Sequence, residues 1–345
     1  MQTEWKQQLE NCITDVKELK KILSLTDREI EILEKASFKL TPYIAKLIRD
    51  LGQAGVKNQF IPVAPNTSIK YTSDYLEESK HQPIENLIHR YKNKVIVIAT
   101  NLCACYCQFC TRQRITNCNS GYVNNLDEII NYIRKHPEVN DVLITGGDPL
   151  ILKTDRIMHI LREISQINTI NVIRIGTRIP ITLPLRIDNE LVNALKELNN
   201  LYINIHINHP AELTKDSEEA LLALANAGIP LGSQTVLLRG INDDKKILKE
   251  LFEKLICIKV KPYYLYQCDK VKGCENFIVS PHIGIKIINS LCNEISGFAL
   301  PKFVVDTPEA GKKVLAPCSL HKTDQEKIYI MDGNSIFVYS KDDTN

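Results

Sequence analysis

The sequence has almost no excess of charge of either sign. Its 43 basic and 41 acidic side chains leave a net charge of +2. That balance excludes a nucleic-acid surface spread over the whole molecule and leaves room only for a local basic patch. The opening Met1-Gln2-Thr3-Glu4-Trp5-Lys6 is polar and lacks the apolar core of a secretory signal. No apolar run is long enough to span a bilayer, so no membrane partner is expected. Internal repeats and low-complexity stretches are missing too. The 11 cysteines are odd in number and widely scattered, unlike a secreted disulfide framework. They suit a reducing cytoplasm. A chain of 345 residues can bury a sizeable core, as one large α/β domain with appendages.

What is present centres on Cys103-Ala104-Cys105-Tyr106-Cys107-Gln108-Phe109-Cys110, just after the apolar run Val95–Thr100. Cys103, Cys107 and Cys110 form a Cys-x3-Cys-x2-Cys pattern. Three thiolates on a loop after a buried strand can hold three irons of a [4Fe–4S] cluster. Such clusters normally take four cysteines, so a missing fourth leaves one iron open to an exogenous molecule. The rival is zinc, which wants four ligands, commonly as paired knuckles. No second knuckle is visible, although Cys105 or Cys118 could complete a tetrahedron. Cys105 alternates between ligand positions and reads as a bystander.

Residues 1–94 read as a helical cap and arm. Apolar residues fall at helical spacing over Glu4–Leu9, Val16–Leu23 and Asp27–Leu33. Thr26 with Glu29 suits a capping box, and Thr41-Pro42 starts another helix to Leu51. Gly52 to Pro83 reads as a wrapping arm without chemistry of its own. From residue 95 to 300, short β-branched runs alternate with amphipathic helices. The expected strands are Val95–Thr100, Asp141–Thr145, Val172–Thr177, Tyr202–Ile207, Leu231–Leu238 and Tyr263–Gln267. Six strand–helix units imply a parallel sheet with right-handed crossovers. Working residues then belong at the C-terminal ends of the strands. Residues 301–345 hold a short strand, Phe303–Val305, a charged loop, and a hairpin of Ile328–Met331 and Ser335–Tyr339 turned by Asp332-Gly333-Asn334. The second barrel strand ends in Thr145-Gly146-Gly147-Asp148, where glycines permit close approach to a ligand and an acid can receive an ammonium.

The cysteine spacing resembles that of the radical S-adenosylmethionine (SAM) enzymes. A narrower resemblance, covering nearly the whole chain, is to the lysine 2,3-aminomutase family. It is carried by Cys107–Arg114 (CQFCTRQR), Val172–Pro180 (VIRIGTRIP), Asn208-His209-Pro210, Gln234–Asp243 (QTVLLRGIND), Lys261–Asp269 (KPYYLYQCD) and Phe303–Pro308 (FVVDTP). The resemblance implies an α/β fold, a partial (β/α)6 radical SAM barrel with an N-terminal helical region and a short C-terminal β hairpin. It implies a [4Fe–4S] cluster on Cys103, Cys107 and Cys110, with SAM chelating the open iron. Gly146, Gly147 and Asp148 would bind the SAM amino group, with His206 and Gln234 as further contacts.

Pyridoxal 5′-phosphate (PLP) is implied as well, and it needs a Schiff-base lysine. Counting from Asp306 in Asp306-Thr307-Pro308-Glu309-Ala310-Gly311-Lys312-Lys313 puts Lys313 there, although Glu309, Ala310 and Lys312 replace the family's glycines. Arg90 and Lys94 match positions near the PLP phosphate, and Arg112 the arginine for the substrate carboxylate. Asp269 and Asp306 match the acidic pair that receives the side-chain ammonium of lysine. The implied activity is a radical isomerase moving the amino group of L-lysine from C2 to C3, giving β-lysine. Rival readings are a β-lysine-forming enzyme serving translation-factor modification, an arginine 2,3-aminomutase, and a non-catalytic iron–sulfur protein. A reducing partner such as flavodoxin or ferredoxin and a homo-oligomeric state are implied as well.

Overall fold

The computed structural model of the chain describes residues 4–52, 54–64, 71–116, 121, 123–309, 311–317, 320–323, 327–332 and 335–340. Nine strands form one sheet whose spatial order is their chain order: β1 Leu87–Tyr91, β2 Lys94–Thr100, β3 Asp141–Gly146, β4 Val172–Thr177, β5 Leu201–His206, β6 Leu231–Leu237, β7 Val260–Gln267, β8 Lys302–Thr307 and β9 Gly311–Ala316. From β2 to β8 every neighbour is parallel, while β1 and β9 run antiparallel at the two edges. All six expected barrel strands are present. Parallel strands covered by helices are buried on both faces and are accordingly rich in Val, Ile and Leu. Val95, Val97, Ile144, Ile173, Ile175, Ile203 and Ile205 form the spine of that core.

Helices Leu126–Arg134, Thr154–Ser165, Asn189–Leu195, Lys215–Asn226, Lys245–Cys257 and Pro281–Leu291 cover the sheet. Local chemistry starts several of them. Asp188 accepts from Leu191 N, Asp244 from Lys246 N and Ile247 N, and Thr214 forms a capping box with Ser217. The expected N-terminal helices also form, at Glu4–Glu10, Val16–Lys20, Asp27–Lys35 and Pro42–Leu51, with the Thr26–Glu29 capping box in place. They enclose a second apolar cluster of Leu19, Leu33, Leu40, Ile44, Ile48 and Phe60, which also takes in Cys105.

Three features differ from the sequence reading. Residues up to 94 are not only cap and arm, because β1 pairs with β2 across a tight turn. The strand after residue 300 continues the barrel sheet as β8, and β9 pairs back onto it. The tail forms three antiparallel strands, β10 Leu320–Thr323, β11 Lys327–Asp332 and β12 Ser335–Ser340. The pairing of Asp332 with Ser335 fits the expected hairpin, whose turn residues Gly333 and Asn334 lie outside the described residues. Among the described residues no helix is long and apolar enough to cross a membrane.

Candidate active site

The cysteine loop leaves the end of β2 and is held by the N-terminal cap. Tyr106 N donates to Lys39 O at 2.9 Å, and Gln108 N to Gln59 O at 2.9 Å. Cys105 turns to the cap, where its Sγ accepts from Thr41 N at 3.3 Å. Cys103, Cys107 and Cys110 form a separate group. Burial pushes the Cys103 thiol up, and Cys110, Asp148 and Cys107 add to it as neighbouring negative charges. Burial pushes Cys110 to about 12, with Cys107 adding to the shift. Cys118 lies outside the described residues.

No three His, Cys, Asp or Glu side chains among the described residues converge on a point that could hold one metal ion. In an iron–sulfur cube each cysteine takes a different iron, a demand that three closely spaced thiols on one loop can meet. A buried cation lies beside it. Arg178, at the end of β4, donates from Nη1 to Cys107 Sγ at 2.8 Å and from Nη2 to Gln59 Oε1 at 2.5 Å and Glu212 Oε2 at 3.1 Å. Its Nε is buried with no hydrogen-bond partner. An anionic group would satisfy that donor, as a cluster or a SAM carboxylate could.

Gly146, which ends β3, and Gly147 each meet backbone at very short range. A Cβ on Gly146 would lie 2.1 Å from Thr100 O, and one on Gly147 2.1 Å from Leu102 O. The close approach is to the chain's own cysteine loop, fixed by Gly147 N to Thr100 O at 2.6 Å and Asp148 N to Leu102 O at 2.8 Å. Asp148 is buried, and its carboxylate accepts from Thr177 Oγ1 at 2.7 Å, Arg178 N at 2.6 Å and Leu150 N at 3.1 Å. Burial raises it to about 6 although these bonds pull the other way. The acid thus ties β3 to β4. His206 ends β5 beside Phe109, with ring centroids 5.3 Å apart. Burial, then the Arg178 charge, pushes it down to about 3, so the ring is neutral. Gln234 reaches Tyr266 Oη at 3.5 Å, which places it with the group described next.

Asp269 lies just past the end of β7, and Asp306 is the penultimate residue of β8. Burial first, then the negative charge of Asp306, raises Asp269 to about 7. In the antiparallel β8–β9 pair, Asp306 faces Lys312, whereas Lys313 faces Val305. Successive side chains on a strand point to opposite faces. Lys312 therefore shares the Asp306 side, with its Nζ 3.7 Å from Asp306 Oδ2 and 2.7 Å from Tyr266 Oη. It also lies 4.7 and 4.6 Å from the ring centres of Tyr264 and Tyr266. Lys313 is exposed. The alternation of the strand thus puts Lys312, and not the Lys313 expected by counting, on the side of the acids.

Burial, with help from the Arg174 and Lys94 charges, pushes Lys312 below its ordinary value. Such a lysine is the better nucleophile. Arg90 Nη2 donates to the carbonyls of Thr307 and Pro308, the latter at 2.8 Å. Arg90 and Lys94 both flank the Tyr91 ring, and Tyr91 Oη accepts from Lys312 N at 3.1 Å. Two cations and a lysine amine around one mouth fit a phosphate-bearing aldehyde such as PLP.

Arg112, just past Cys110, is bound by Glu78 from the arm, Nη2 to Oε1 at 2.7 Å and Nε to each oxygen at 3.2 Å. Arg114 Nη2 also reaches Glu78, at 2.8 Å. The arm was expected to carry no chemistry, yet it lines this mouth. Tyr264 and Tyr266 were missed as well, although their spacing of two on a strand placed them on one face. Arg178 had a signal in its strand-end position. Glu78 had none, since its partners are distant in the chain.

A parallel sheet whose strand ends carry a Cys-x3-Cys-x2-Cys loop is the frame of a radical SAM enzyme. The profile of the radical SAM superfamily matches residues 97–251. L-lysine 2,3-aminomutase of Clostridium subterminale is 41% identical over 320 residues, spanning 90% of this chain and 77% of the relative. That of Methanococcus maripaludis is 40% identical, spanning 90% and 75%. The glutamate 2,3-aminomutase of Clostridioides difficile is 39% identical, also spanning 90% and 75%. The chain belongs to the lysine 2,3-aminomutase family, isomerases that work with a [4Fe–4S] cluster, SAM and PLP.

Proposed function

We propose that the chain is an L-lysine 2,3-aminomutase, forming β-lysine. The observation that carries the substrate is the acidic pair Asp269 and Asp306. Two like charges in one place repel unless a cation sits between them, and the Asp306 charge adds to burial in raising Asp269. Lys312 supplies a cation to Asp306. A substrate ammonium would complete the pair, whereas a glutamate side chain would be repelled.

Arg112 would take the carboxylate at the other end of the substrate. Lys312 would hold PLP covalently until substrate displaces it, with Arg90 and Lys94 on the phosphate. Cys103, Cys107 and Cys110 would hold the cluster. Gly146, Gly147 and Asp148 would fix the loop against which SAM sits, with His206 as a neutral contact. When bound, these groups supply a carbon radical that takes a substrate hydrogen and a π-system that carries the nitrogen from C2 to C3. The protein's own task is to orient the substrate and exclude water and oxygen. A low-potential one-electron donor of the flavodoxin or ferredoxin class would reduce the cluster, in a reducing cytoplasm.

The test is anaerobic incubation of reconstituted enzyme with SAM, PLP and dithionite, using lysine, arginine or glutamate in turn. β-Lysine from lysine, with far less product from the others, is expected. Preferred turnover of arginine would shift the assignment to the arginine enzyme, and turnover of glutamate would overturn the reading of the acids.

A further inference from the structure

We propose that Glu78 is a positioning residue for the substrate, holding Arg112 so that only one edge of its guanidinium meets the amino acid's carboxylate. The inference rests on the reading of Arg112 given above. Glu78 is 8% exposed and stands on a short turn that is itself pinned. Asp74 accepts from Glu78 N and Ser79 N, both at 3.0 Å. The carboxylate takes Nε and Nη2 of Arg112, and Arg114 joins from Nη2. Among the described residues no bond is formed by Arg112 Nη1, so that nitrogen is the one left for a ligand. Burial pushes Glu78 up, but the Arg112 and Arg114 charges together outweigh it and hold the acid at about 2. Glu78 therefore stays ionised over any working pH.

The arm reaches the opposite end of the site too. Thr72 bridges Val271, Lys272 N donates to Thr72 O at 2.9 Å, and Tyr75 feels the charges of Asp269 and Asp306. One segment thus touches the arginine for the carboxylate and the loop that carries an acid for the ammonium. Arg112 and Arg114 are matched by Glu78 and Asp74. The local charge is balanced, so a substrate carboxylate is selected by where the guanidinium points and not by excess positive charge.

The experiment uses the reconstituted enzyme with cluster and PLP. Lysine is titrated against the PLP absorbance to give Kd, and turnover gives kcat and KM. Glu78→Gln keeps the shape but faces Arg112 with an amide donor. It should raise Kd and KM by about ten- to a hundredfold, the loss of one or two charge-assisted bonds. The kcat, the cluster iron and SAM affinity should change less than about threefold. An unchanged or lower Kd overturns the proposal. So does a rise seen only together with lost iron, which would make Glu78 a staple for the arm. If the Gln variant does not fold, Glu78→Asp decides: it keeps the charge but is a methylene too short. A raised Kd at full iron content supports positioning, and the parental Kd overturns it. Arg112→Lys separates the two readings. Parental lysine affinity in that variant sinks the role of Arg112 itself, whereas weakened affinity there with a parental Glu78→Gln sinks only the role of Glu78.

Discussion

Two adjacent lysines differ in fate because one backbone turn sets their parity. Gly311 has φ +65°, a conformation suited to glycine, and a Cβ there would lie 3.0 Å from the Tyr91 ring. Where that turn ends decides which of the next two side chains faces the mouth, and residue counting cannot see it. Borohydride reduction with PLP, then peptide mass analysis, should place the pyridoxyl group on Lys312. Lys312→Ala should lose it and Lys313→Ala keep it.

Asp269 gives a second expectation at this scale. Its folded value of about 7 lies above the ordinary 3.8. Between those values the native state binds more protons than the unfolded one, so stability falls as pH rises and the cost is complete above 7. Asp269→Asn should raise Tm by several degrees at pH 8, on the order of a few kcal/mol. That gain should vanish below pH 4. Lysine affinity should weaken by up to about tenfold per pH unit as pH falls below the Asp269 value, because a neutral acid offers the ammonium no charge. Thermal melts and the PLP-absorbance titration read both.

Among the elements, the end of β3 with Gly147 is tightly constrained. Its glycines let the cysteine loop lie against it, so Gly147→Ala must move Leu102 and the loop. We expect the variant to keep its far-UV circular dichroism but to lose most of its reconstituted iron, or more than tenfold of its SAM cleavage. Full iron and full cleavage would show that the loop yields at little cost. The six barrel strands were legible in the sequence because buried parallel strands are runs of Val, Ile and Leu, broken by helices with their own caps. β1 and the chemistry of the arm were not. His89, Arg90 and Tyr91 look like any polar stretch until β1 pairs with β2 through Leu87, Ile88 and Tyr91. Glu78 acquires meaning only across the 34 positions that separate it from Arg112. The three-cysteine pattern is readable because its spacing is local, whereas which of Lys312 and Lys313 shares the Asp306 side depends on strand register.

Across the whole molecule, the N-terminal cap and the cysteine loop form one unit. Cys105 belongs to the apolar cluster of the cap, and Cys107 packs against it. Removing residues 1–51 should leave a folded barrel whose iron is lost faster on exposure to air. Iron release measured over time tests this, and a rate equal to that of the full chain would show the loop to be self-supporting. The order of the nine strands has a further consequence. The proposed phosphate cations sit on the first two strands and the cofactor lysine on the last, at opposite margins of one sheet. Bound PLP would act as a clasp between segments some 220 residues apart, whereas the iron site is stitched from near neighbours. Damage would therefore part the two cofactors. Proteolytic trimming or fraying at the carboxyl end would release PLP and leave iron in place, and oxidation of the thiols would do the reverse.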